Sequence, residues 1–125
     1  MNLRIEIPGL PPKELSPNAR IHFIVKAQHT AHYRAFVKMC AWEWKHNGYD
    51  GKWEIPDKAK VDVTFVVPDK RRRDKTNLAS AFKAGLDGIV DAGIVKDDNY
   101  QCIDDQYHIE YRKGERLTIV EVTHG

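Results

Sequence analysis

The sequence predicts an α+β fold in two layers, a small mixed or antiparallel sheet with two helices packed on one face, built by residues 1–125 as a single domain. Two patterns carry that expectation. Short stretches alternate apolar and polar residues, the period of a half-buried strand. Two longer stretches repeat apolar residues at helical spacing. The 125 residues are 42% apolar and 30% charged, with three Trp, five Tyr and four Phe, a composition that builds one core and argues against disorder.

The elements follow in order. Leu3, Ile5 and Ile7 alternate with Arg4 and Glu6, a first strand. Pro8-Gly9-Leu10-Pro11-Pro12 ends it and opens an irregular stretch through Ser16-Pro17-Asn18. From about Thr30, apolar residues at Tyr33, Phe36, Val37, Cys40 and Trp44 mark an amphipathic helix, with Asn47-Gly48 as its expected stop. Val61, Val63, Phe65 and Val67 alternate with Asp62 and Thr64, a second strand closed by Pro68. Leu78, Phe82, Leu86 and Ile89 form the stripe of a second helix over residues 76–91, which Ala92-Gly93 ends. Ile103, Tyr107, Ile109 and Tyr111 predict strand, Lys113-Gly114 a turn, and Leu117, Ile119 and Val120 a last strand, so that the chain is expected to close on a hairpin.

Several function classes are excluded at this level. No apolar run approaches the roughly 20 residues that span a bilayer, so no membrane partner is expected. The opening Met1-Asn2-Leu3-Arg4-Ile5-Glu6 predicts no secretory leader. Cys40 and Cys102 are too few for a disulfide scaffold and fit no metal-ligand spacing, which points to reduced thiols and a cytoplasmic protein. His22, His29 and His32 with Cys40 match no zinc pattern. Neither a Gly-rich phosphate loop nor a dinucleotide fingerprint occurs, so no small-molecule cofactor is expected.

Net charge is only +2, from 20 basic and 18 acidic residues, but its distribution is uneven. Lys70-Arg71-Arg72-Arg73 is a block of cations suited to neutralising phosphates. Carboxylates crowd the stretch behind it: Asp74, Asp87, Asp91, Asp97, Asp98, Asp104 and Asp105. A protein that only held phosphate gains nothing from acids beside its cations.

With Asn77 at 0° and about 100° per residue, the apolar stripe of the second helix lies between about 100° and 180°, while Ser80, Lys83 and Asp87 lie near 240° to 300°. That helix therefore shows a separate polar side. At its start, Asp74 and Thr76 are both cap candidates, and capping needs only one of them. At its far end stand Asp97-Asp98. A helix of about 16 residues spans roughly 24 Å, so Asp74 and Asp98 meet only if the chain beyond Gly93 folds back along it.

These residue types suit phosphodiester hydrolysis. Mg²⁺ activates water, relieves charge on the phosphate and stabilises the leaving oxygen, and it takes one or two carboxylates with waters and substrate. A lysine adds charge for the transition state, and arginines hold the flanking backbone.

Pro68-Asp69-Lys70-Arg71-Arg72-Arg73-Asp74, Asn77-Leu78, Leu86-Asp87-Gly88-Ile89-Val90, Gly93 and Asp97-Asp98 together resemble the RusA-type Holliday junction resolvases, and Pro11-Pro12, Ser16-Pro17-Asn18 and Arg20 resemble that family's N-terminal segment. The resemblance implies a Mg²⁺-dependent endonuclease that acts as a homodimer on four-way or branched DNA. It implies Asp74 and Asp98 as catalytic metal ligands with Asp97 beside them, Lys83 as the catalytic lysine, and Lys70, Arg71, Arg72, Arg73 and Asn77 as DNA contacts. Two positions depart from the family pattern. Thr76 stands where the second acid of Asp-x-Asp-Asn belongs, and the lysine is at 83, with Ser80 at the usual place. A junction-binding protein that has lost hydrolysis is the alternative that Thr76 leaves open.

Overall fold

The structure is a computed structural model that describes residues 1–50 and 52–124. Its elements are β1 (Asn2–Pro8), a 3-10 turn (Lys13–Leu15), α1 (Phe23–Tyr49), β2 (Ala59–Val67), α2 (Lys75–Ala81), α3 (Lys83–Asp91), β3 (Ile103–Tyr111) and β4 (Leu117–His124). The α+β class holds: the helices pack on a four-stranded mixed sheet of order β1-β4-β2-β3. Strand β4 pairs antiparallel with both β1 and β2, and β3 pairs parallel with β2 across the α2–α3 connection.

The expected closing hairpin is not formed. Strands β3 and β4 are neighbours in sequence, but β2 lies between them. Burial explains the order. In β4, Thr118, Ile119 and Val120 are consecutive buried residues, the mark of a central strand. Strand β3 buries only Ile103 and carries Asp104, Asp105 and Glu110, charges that an edge tolerates. Ile5, Val61, Val63, Phe65, Val120 and Val122 cover one face of the sheet. They meet Val37 of α1, Ile89 of α3 and Phe82 in a single cluster.

Helix α1 starts about seven residues before the expected position. Residues Phe23, Ile24 and Val25 are exposed, Phe23 at 74%, so its first two turns leave no buried stripe to read. His22 caps it, Nδ1 accepting from the Ile24 N–H at 3.2 Å. The helix also runs through Asn47-Gly48. It ends at Asp50, whose φ of 51° is a left-handed conformation that Asp tolerates better than most residues. Tyr49 gains from the extra turn: its hydroxyl bonds the Asn2 carbonyl and its ring packs edge-on against Trp53.

The expected helix over 76–91 is two helices, so three pack on the sheet in all. Phe82 separates α2 from α3, its ring fully buried against Phe65 and Tyr33. The next glycine is tied to that ring, because a Cβ at Gly85 would lie 2.5 Å from it. Gly88 lets α3 approach α1 closely: a Cβ there would lie 2.5 Å from the Arg34 carbonyl oxygen. On the surface of the same contact, Arg34 grips the Asp91 carboxylate through two bonds of 2.6 and 2.9 Å. No helix among the described residues is long and apolar enough to cross a membrane.

Candidate functional site

The chain does fold back after α3, and the sequence of the turn shows how. Gly93 takes φ 73°. The Gly93 N–H bonds the Val90 carbonyl and the Ile94 N–H bonds the Ile89 carbonyl, the paired bonds of a glycine-terminated helix. Ile94 and Val95 are then buried. Trp53 donates its indole N–H to the Ile94 carbonyl at 2.9 Å, and Lys45 reaches the Ala92 carbonyl at 3.1 Å. Lys96 pairs with Asp57. The returning segment is thus pinned by apolar burial and by three side chains from outside it, those of Trp53, Lys45 and Asp57.

The fold-back delivers Asp98 to Lys83. Lys83 Nζ donates to Asp98 and, at 2.8 Å, to Asp87 one turn along α3, so two carboxylates converge on one ammonium. Partial burial alone would lower the Lys83 pKa, but the bonds to Asp87 and Asp98 outweigh it and hold the ammonium above its usual range. The Lys83 bond, working against partial burial, holds the Asp98 carboxyl below the usual carboxylate range. Lys83 is therefore a fixed positive charge at neutral pH.

Asp97 is turned into its own loop. Its Oδ1 accepts from the Asp98 N–H at 2.7 Å and its Oδ2 from the Asn99 side chain at 3.1 Å, leaving it to shape the turn that presents Asp98.

Asp74, not Thr76, caps α2. Its Oδ1 accepts from the Thr76 N–H at 2.8 Å and the Asn77 N–H at 3.3 Å, while Oδ2 makes no hydrogen bond among the described residues. Asp74 and Asn77 line one groove, Lys83 and Asp87 another, and Ala81 borders both. Nine residues of helical rise, about 13 Å in a straight run, separate Asp74 from Lys83. The fold-back therefore brings Asp98 to the middle of the α2–α3 pair rather than to its start. Among the described residues, no group of three or more His, Cys, Asp or Glu is placed to hold a metal ion.

The basic block does not act as one patch. Lys70 lies over the Tyr111 ring, 5.3 Å from its centroid. Arg73 is committed: its side chain, 16% exposed, bonds the Asp69 carboxylate at 2.8 Å and the Asp69 and Arg71 carbonyls, bracing the loop. Arg71 and Arg72 are exposed. Among the described residues, the Arg71 side chain has one ion pair, with Asp69 at 3.7 Å.

Thr76 faces β3, in a groove with Asp105 and Tyr107. Burial, then the Asp105 hydrogen bond, then the charges of Asp105 and Asp98, push the Tyr107 hydroxyl above its usual range, so it stays protonated and donates to Asp105 at 2.8 Å. The sequence marks Asp105 only as one of the carboxylates behind the basic block, with no site role. Its signal was present: it lies in phase with Ile103, Tyr107 and Ile109, and it pairs in register with buried Val61, so it is an acid on the inward side of a strand.

The fold and site define an α+β protein in which two carboxylates share one lysine, with an arginine-rich loop preceding the helix pair in the chain. No protein-family model matches the chain. A protein of Xylella fastidiosa (strain Temecula1 / ATCC 700964), bearing the name "Uncharacterized protein", is 31% identical over 84 residues, which are 66% of this chain and 52% of that protein. The chain spans about half the length of that relative.

Proposed function

We propose that the protein is a Mg²⁺-dependent endonuclease of branched DNA, similar to the RusA-type resolvases, and that it cuts four-way junctions as a homodimer. The observation that carries this reading is the convergence of Asp98 and Asp87 on Lys83, produced by the turn that buries Ile94 and Val95. A surface salt bridge needs no such return of the chain.

The donor set is hard carboxylate oxygen, which fits Mg²⁺. Asp98 would hold it together with Asp87, which shares the Lys83 ammonium. Asp74, in the neighbouring groove and about 13 Å of helical rise from Lys83, is too far to ligate the same ion and would need one of its own, and Asp97 acts through the loop. Mg²⁺ supplies the acidity that activates water and the charge that relieves the phosphate. Lys83, protonated throughout the neutral range, adds fixed positive charge where negative charge builds on the phosphate in the transition state. It does not serve as a base. Lys70, Arg71, Arg72 and Asn77 contact the DNA backbone, and Arg73 keeps their loop in shape. A two-fold dimer suits a four-way junction because paired, symmetric cuts leave two intact duplexes. Free Cys40 and Cys102 accord with a cytoplasmic setting.

A labelled four-way junction and a matched duplex, each incubated with Mg²⁺ and with EDTA, test the reading. Cleavage of the junction alone, and only with Mg²⁺, supports it. A second reading, a junction-binding protein without hydrolysis, is favoured by Thr76 and by the lack of a three-acid group among the described residues. Tight junction binding with no cleavage at any Mg²⁺ concentration selects it.

A further inference from the structure

Three connections meet at one end of the sheet. The β1–α1 stretch begins at Gly9, whose N–H bonds the Arg116 carbonyl at 3.1 Å. The β3–β4 connection crosses the end of β2, where Arg112 bonds the Val67 carbonyl and Gly114 the Pro68 carbonyl, each at 3.0 Å. The basic loop leaves β2 at the same place. As a result Lys13, Arg71 and Arg116, far apart in sequence, line one groove with Asp74 and Asn77 over a floor of prolines and Leu78.

We propose that this groove is a phosphodiester-binding subsite, in which Lys13, Arg71 and Arg116 hold the backbone of a DNA strand beside Asp74. The inference rests on the DNA reading above and extends it to Lys13 and Arg116, which the basic block does not contain. Charge is the first argument. Lys13 and Arg116 make no ion pair among the described residues, and Arg71 is 81% exposed with only the long Asp69 contact. Two cations without an ion pair among the described residues and a third held only by one long contact, brought to one groove from three connections, are the arrangement that phosphates neutralise. Arg73, in the same wall, is already satisfied by Asp69 and serves as the brace. Shape is the second argument. Pro11 is buried and Leu78 half-buried, so the floor is apolar and rigid, a surface for sugar edges between phosphates. Among the described residues Asp74 is the one carboxylate in the wall, and one of its oxygens is held by the cap.

The test measures binding without cleavage. A fluorescent four-way junction is titrated with the full chain in EDTA at several KCl concentrations. The variants are Lys13→Ala/Arg116→Ala and, as an equal-charge control away from the groove, Lys52→Ala/Lys58→Ala. Each lost phosphate contact lowers the slope of log affinity against log salt by about 0.7 to 0.9, so the groove pair is expected to lower it by about 1.4 to 1.8 and the control by much less. Lys13→Gln/Arg116→Gln, which keeps the side-chain bulk, is expected to match the alanine pair, and thermal melts check that all variants fold. Wild type that binds DNA with equal slopes in the groove and control pairs overturns the subsite alone. Wild type that binds no DNA overturns the nuclease reading and this inference with it.

Discussion

Lys83 and Asp98 form an ion pair that closes the chain on itself over the whole of α3, and Asp87 shares the same ammonium. The pair exists because the turn at Gly93 buries Ile94 and Val95 and is fastened by Trp53. Local structure at one residue thus sets the charge at another, and the consequences are measurable.

Asp98→Asn is expected to abolish Mg²⁺-dependent cleavage while junction binding in EDTA is kept or strengthened. On the proposed reading the change removes a metal ligand and also a negative charge that would face phosphate. Cleavage within a few-fold of wild type would remove Asp98 from the site.

The same pair shapes stability against pH. The Asp98 carboxyl is lowered in the fold, so its contribution is full above the unfolded value of about 3.9 and is lost as pH falls through the folded value. Lys83 is raised, so its contribution is full below about 10.4 and is lost as pH rises through the folded value. Lys83→Met is expected to change the acid and alkaline limbs of a denaturation profile and leave its shape between about pH 5 and 9 unaltered. A new titration in the variant near neutrality would contradict the assignment.

Asp74 caps α2, and the proposed function gives it a second, separable role in cleavage. Asn caps helices as well as Asp does, so Asp74→Asn is expected to keep stability and lose cleavage. Asp74→Ala loses cleavage and also about 1 kcal/mol from the missing cap. Chemical denaturation beside cleavage rates distinguishes them; equal destabilisation in both variants would mean that the cap bonds are not what Asp74 contributes.

Thr76→Asp places a carboxylate in the groove of Asp105 and Tyr107, at a helix start where an acid is favoured. It is expected to lower the Mg²⁺ concentration for half-maximal cleavage, and Asp87→Asn to raise it. If neither variant moves the midpoint, the site is built on Asp74 and Asp98 alone.

Gly88→Ala drives a methyl group into the Arg34 carbonyl of α1. Neither backbone yields cheaply, so the expected cost is about 1 to 3 kcal/mol, read as a lower thermal midpoint with the far-UV spectrum retained. An unchanged midpoint would show that α1 and α3 are less closely packed.

Much of this was determined by the sequence alone. The periods at residues 3–7, 61–67 and 78–89 define strands and helices because each depends on neighbours a few residues away. Gly93 as a helix stop and an acid at position 74 as a cap are local in the same sense. Tertiary structure decided the rest. Placing β4 between β1 and β2 depends on which strand has two faces to bury, a property of the whole core. The break at Phe82 comes from a ring packed into Phe65, and the early start of α1 from turns that bury little. The site divides along the same line. The sequence named Asp74, Lys83 and Asp98 as candidates, but the meeting of Lys83 with both Asp87 and Asp98, the bonds of Arg73 to Asp69 and of Asp97 within its own loop, and the arrival of Lys13 and Arg116 in one groove with Arg71 follow from how the chain packs. No local pattern encodes them, because the energy that fixes them is apolar burial between segments far apart in the chain.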